Sequence, residues 1–94
     1  MRRDVRLLAS ARNDLRRLEA FLRDRSPDAA LRATNAIILA VLSLDEFSER
    51  GLLNQETGLR ELPVRHGRDG YTIQYRVDPA IVLVARIFHN REMR

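Results

Sequence analysis

Four arginines and one histidine in the second half of the chain have the residue types that chemistry on an anion would need. They are Arg60, Arg65, Arg76, Arg86 and His89, with Tyr71 and Tyr75 among them. An arginine-rich sheet face beside a histidine can hold RNA phosphate and support acid–base cleavage of the backbone. The same arginines can instead pair with carboxylates or with a partner chain, and Tyr75 can be core. His89 follows Phe88 at the end of an apolar run. One imidazole needs a positioned partner to move a proton, so the residues alone favour a structural or interface role for it.

The rest of the chain offers little else that is reactive. With no cysteine, disulfides and thiolate metal sites are excluded, and His66 and His89 lie too far apart in sequence to form a spaced metal-ligand pair. No metal and no cofactor is expected. Gly67 and Gly70 sit between strand patterns and precede no helix, so they form no phosphate loop. Ser10, Ser26, Ser43 and Ser48 have capping or solvent-facing explanations. All 17 cations are arginine and the net charge is +4. Guanidinium forks suit phosphate and carboxylate partners, although an arginine-biased genome accounts for the usage as well. The arginines are spread along the chain without a basic tail or stripe, so direct nucleic-acid binding is not expected.

The elements that must position these residues follow from periodicity. At 94 residues there is room for one domain, 1–94, with one core. Residues 4–8 alternate weakly as a short strand. Ser10 is placed as an N-cap, followed by Ala11, Leu15, Leu18 and Leu22 in helical steps with Phe21 beside them, ending near Asp24. Arg12, Asp14, Arg16, Arg17, Glu19 and Arg23 form the opposite, solvated face. Ser26 caps a second helix with Pro27 at its first position and Asp28 in its first turn. This helix is expected over 27–47, with Ala30, Ile37, Val41 and Leu44 as its seam and Ile38 and Leu42 widening it. Gly51 is expected in a left-handed conformation and 52–57 as a polar connector.

From Gly58 the period changes to two. Arg60, Leu62 and Val64 share one strand face, and Pro63 requires an unpaired or bulged position. Residues 71–77 alternate cleanly, and 81–89 begin as a continuous apolar run, expected to be central. Two helices followed by a meander describe an α+β fold, a helical hairpin on one face of a small, mostly antiparallel sheet. The longest apolar stretch is taken as too short to span a bilayer, and the N-terminus lacks a signal-type core, so a cytoplasmic protein is expected.

Several strings, in this order, resemble the RelE/ParE toxin superfamily, its ParE-like branch in particular. Ala11-Arg12-Asn13-Asp14-Leu15 looks like the start of the family's first helix, and Ser26-Pro27-Asp28-Ala29-Ala30 like its helix junction. Arg60-Glu61-Leu62-Pro63-Val64 resembles the ParE strand. Tyr75-Arg76-Val77, Ile81-Val82-Leu83-Val84 and His89-Asn90-Arg91 resemble the closing strands and the terminal histidine–x–arginine. The resemblance covers essentially the whole chain.

RelE- and YoeB-like members cut messenger RNA on the ribosome, using basic sheet residues and an acid–base residue near the C-terminus. Carried onto this chain, that pattern puts Arg60 at an upstream strand arginine and His89 at the YoeB-type histidine. It puts Thr72 where the family has a strand arginine, and Asn90 where it has a tyrosine. The ribonuclease set is incomplete. The ParE resemblance implies a different action: inhibition of DNA gyrase by protein–protein contact, with a ParD-type antitoxin in a toxin–antitoxin hetero-oligomer. Arg60, Arg65, Arg76, His89 and Arg91 are then binding positions. The alternatives are a ribonuclease using Arg60, Arg76 and His89, and a degenerate toxin that only binds its antitoxin.

Overall fold

In the computed structural model, which describes residues 2–92, a helical hairpin covers one face of a five-stranded sheet. The elements are β1 (Asp4–Leu7), α1 (Ala9–Arg23), α2 (Pro27–Leu42), a single 3-10 turn at Ser43–Asp45, β2 (Leu52–Leu53), β3 (Arg60–Val64), β4 (Tyr71–Val77) and β5 (Ile81–His89). The sheet order is β1-β5-β4-β3-β2, with β1 parallel to β5 and every other pair antiparallel. The short strand expected near residue 4 is therefore real, and it flanks β5.

The helices stop and start where side chains dictate. Ser26 caps α2 by accepting from the Ala29 amide at 3.1 Å, with Pro27 behind it and Asp28 paired to Arg32 one turn on. Three sequence expectations are corrected here. Ser10 is not a cap: α1 begins at Ala9, and the Ser10 hydroxyl donates to the Ala85 carbonyl at 2.6 Å. The α2 helix ends at Leu42 instead of near residue 47, tightening into the 3-10 turn. Counted through that turn, 27–45 is 19 residues long and contains an 18-residue window of mean hydropathy 1.3, enough by length and composition alone to cross a membrane, contrary to the sequence expectation. Its seam is nevertheless core: Ala30, Ala33, Ile37, Val41 and Leu44 are all buried.

Ile38 and Leu42 do not widen that seam. They are 39% and 57% exposed, with Leu31 at 60% and Leu39 at 68% beside them, so α2 carries a second apolar face turned to solvent.

The sheet contributes Leu62, Val64, Tyr71, Ile73, Tyr75, Val82, Val84 and Ile87 to the core. Alternation breaks in β5, where Tyr75 lies opposite Val84 but Gln74 opposite Arg86, leaving Ala85 as the extra residue of a bulge. Without that bulge Arg86 would share the inward face of Val82 and Val84. With it, Ile87 and His89 turn inward and Arg86 and Phe88 turn to the opposite face, where Phe88 is nevertheless buried. Pro63 pairs in register with Thr72 on one side, and because β2 stops opposite Glu61 no strand among the described residues faces it on the other, so the position is unpaired there and not bulged.

Gly51 is also not left-handed. It is a close-approach glycine: its amide donates to the Tyr75 hydroxyl at 3.0 Å, and a Cβ there would come within 2.6 Å of that oxygen. The 52–57 connector begins with the edge strand β2, tethered by this contact. Tyr75→Phe leaves the Gly51 N–H buried without its acceptor. A loss of about 1–3 kcal/mol is expected, read as a lower denaturation midpoint at unchanged slope.

Candidate functional site

The five residues singled out from the sequence fall into two groups at opposite ends of the sheet. Arg60 lies opposite Tyr75 and His89 opposite Tyr71, four residues apart along β4 and so roughly 13 Å apart at about 3.3 Å per residue. Arg60 is half-buried and donates to the Glu49 and Gly51 carbonyls at 3.0 and 2.8 Å, so it holds the connector before β2. Arg76 is exposed at the same end, paired with Asp78 at 3.4 Å. Arg65, His89 and Arg91 lie at the other end. Arg60, Arg76 and His89 are therefore not brought into one constellation.

His89 is held from two sides. Its Nδ1 accepts from the Arg91 amide at 3.2 Å, which leaves Nε2 to carry the proton of the neutral ring. Its ring meets Tyr71 edge to face, with centroids 5.3 Å apart. Arg91 lies 3.9 Å from Asp69, and Glu92 accepts from Arg17 at 2.5 Å. The Glu92 carboxylate holds the Arg17 guanidinium above its ordinary pKa, while burial and then Glu92 push the Tyr71 phenol up. These residues line a cleft of about 540 Å³ between the C-terminal half of α1 and the ends of β4 and β5.

Thr72 and Asn90, the two departures from the ribonuclease pattern, are bonded to each other. The Thr72 hydroxyl donates to the Asn90 side-chain oxygen at 2.6 Å, and the Asn90 amide donates to the Asp69 carbonyl at 2.7 Å. Asn90 also donates its backbone N–H to Gly70 O at 3.0 Å. Gly70 has φ +76°, and a Cβ there would come within 2.7 Å of the Val64 carbonyl, so the turn needs glycine. Together these contacts fasten the end of β5 to the β3–β4 loop. Neither side chain can clamp a phosphate or titrate near neutrality.

Sequence reasoning missed Asp14, which it placed on a solvated face. Asp14 is 4% exposed and accepts from Arg86 Nε at 2.7 Å, Arg86 Nη2 at 3.1 Å, the Ile87 amide at 2.9 Å and Arg17 at 3.3 Å. Burial pushes its carboxyl up, but these donors, Arg86 first, outweigh it and hold the pKa below the ordinary value. The signal was present: Asp14 is three residues after Ala11 and four before Leu18, on the buried stripe itself. Beyond Val84, β5 has lost β1 as a neighbour, and Ser10 and Asp14 bond to its free edge at Ala85 and Ile87. Among the described residues, no group of three His, Cys, Asp or Glu is placed to hold a metal.

Residues 5–94 match the family described as ParE toxin of the type II toxin–antitoxin system parDE. Toxin RelE3 of Caulobacter vibrioides is 40% identical over 92 residues, covering 98% of this chain and 99% of its own length. Toxin RelE1 of the same organism is 37% identical over 84 residues, 89% of each chain. In fold, the chain resembles a protein of the chromosomal ParDE toxin–antitoxin system of P. aeruginosa, with a TM-score of 0.78 at 21% identity over 93% of this chain and 95% of that one. It also resembles a chain of the RelBE2 toxin–antitoxin complex of Mycobacterium tuberculosis, with a TM-score of 0.66 at 24% identity over 95% and 99%.

Proposed function

Because the chain belongs to the ParE toxin family of type II toxin–antitoxin systems, we propose that it acts by inhibiting DNA gyrase through protein–protein contact. The observation that carries this is the Thr72–Asn90 hydrogen bond. Two positions where ribonuclease relatives keep functional groups hold a structural pair, and Arg60 and Arg76 stand at the far end of the sheet from His89. Contact with a protein has no need of a converging acid, base and phosphate clamp. The exposed arginines Arg65, Arg76 and Arg91 and the half-buried His89 are its binding positions, and Arg60 shapes the connector at the Arg76 end of the sheet.

A ParD-type antitoxin neutralises the toxin in the cytoplasm by lying across the helical hairpin and sheet. The outward apolar face of α2, with Leu31, Leu39 and Leu42 all more than half exposed, supports this. Bound antitoxin then stabilises only the folded toxin.

A second activity, ribosome-dependent cleavage of messenger RNA, is favoured by the RelE names of the two Caulobacter relatives and by His89 at the cleft. Primer extension on transcripts from cells expressing the toxin separates the two. No cuts within translated codons are expected. Loss of one general acid–base group costs about 10²–10⁴ in rate, so two departures leave little turnover. Cuts that vanish in His89→Ala would transfer the function to the ribonuclease.

A further inference from the structure

We propose that the cleft between α1 and the ends of β4 and β5 is a docking site for an acidic segment of a partner protein that carries one bulky apolar or aromatic side chain. This rests on His89 and Arg91 being binding positions and names what they bind. Leu18, Phe21 and Leu22 form one wall, and Tyr71 and His89 the other. At about 540 Å³ the cleft has the size of a ligand site, within the usual range of about 300–1,000 Å³. Phe21 is 55% exposed on a helix whose leucines, Leu15, Leu18 and Leu22, are buried or half-buried, and the Arg25 guanidinium lies 3.9 Å from its ring centre.

Charge selects the occupant. At the rim, Arg17 and Arg91 are 48% and 68% exposed, whereas their partners Glu92 and Asp69 are 27% and 30% exposed. In each pair the cationic side chain is thus the more accessible one, open to an arriving carboxylate. It can take over donors now held by Glu92 and Asp69 while its apolar neighbour enters between Phe21 and Tyr71. A nucleic acid is the poorer fit. Its affinity comes from many phosphates neutralised together, and this rim offers two cations, each already facing a carboxylate.

The chain contains no tryptophan, so the emission of a tryptophan peptide reports its burial without background. The probe is a blocked pentapeptide with a central tryptophan flanked by aspartates; the control carries lysines in their place. The acidic peptide is expected to shift to the blue with saturation, and the lysine peptide to stay unbound. Phe21→Ser should abolish the shift, and Arg91→Glu should weaken binding at least about tenfold. Both side chains are more than half exposed, so unchanged thermal melts serve as the folding control. The inference is overturned by an absent or non-saturating shift, by equal binding of both peptides, or by binding that survives Phe21→Ser. Displacement of the peptide by a short oligonucleotide at lower concentration than by unlabelled peptide would also overturn it, giving the cleft to nucleic acid. A wild-type chain that binds the peptide but leaves gyrase supercoiling untouched would sink the gyrase reading alone. One that inhibits supercoiling without binding the peptide would sink the cleft alone.

Discussion

Asp14→Ala is expected to cost about 3 kcal/mol or more, a fall in melting temperature of roughly 12–24 °C at about 4–8 °C per kcal/mol for a domain this size. Arg86 and Arg17 are 45% and 48% exposed and can rehydrate, so little of the loss comes from the ion pairs themselves. The larger part comes from the Ile87 amide, which loses its acceptor inside the protein, and from the cavity beside Leu18. Asp14→Asn keeps an acceptor for that amide and should cost clearly less. The pH dependence has a definite sign. A carboxyl held below its ordinary pKa of 3.8 contributes its stability fully above that value and loses it as pH falls through and below it. The melting difference between wild type and Asp14→Ala should therefore be largest near neutrality and shrink below about pH 4. An equal difference at pH 7 and pH 3 would mean that Asp14 acts through packing alone.

Ile37→Ala should be similarly damaging. Ile37 is 1% exposed, within the same cluster as Leu18, Tyr75 and Ile87. Truncating a buried isoleucine to alanine costs about 2–5 kcal/mol, against a total near 5–15 kcal/mol for a small domain. Leu39→Ala, two residues on and on the solvent side of the same turn, should change stability little, since Leu39 is 68% exposed. If Ile37→Ala and Leu39→Ala melted alike, the inward and outward faces of α2 would be wrongly assigned.

Much of this architecture was legible from spacing. The helix junction at Ser26-Pro27, the alternating strand of 71–77 and the order of elements all follow from local rules that tertiary structure leaves intact. Several of the misjudged features are those in which a side chain serves a distant element. Ser10 resembled a cap because caps are local, yet its hydroxyl serves a carbonyl 75 residues away. By residue type Asp14 belongs on a solvated face, since carboxylates are usually solvated, and only the sheet edge left free beyond Val84 explains its burial. The bulge at Ala85 is invisible in an uninterrupted apolar run, although it decides whether Arg86 or Ile87 faces the core. For the candidate site, His89 and Arg91 do line a cleft, but its other wall, from Leu18 to Leu22, comes from α1 and carries no chemical signature in sequence. Arg60 and Arg76 share a residue type with that end of the sheet and not a location.

The most direct test of how this toxin acts is a supercoiling assay with purified gyrase and relaxed plasmid, with the toxin added in increasing amounts. Supercoiling is expected to fall with toxin concentration, to recover when a ParD-type antitoxin is added first, and to be less inhibited by Arg91→Glu. Supercoiling that proceeds unchanged at saturating wild-type toxin, while translated messages are cut in a His89-dependent way, would contradict it.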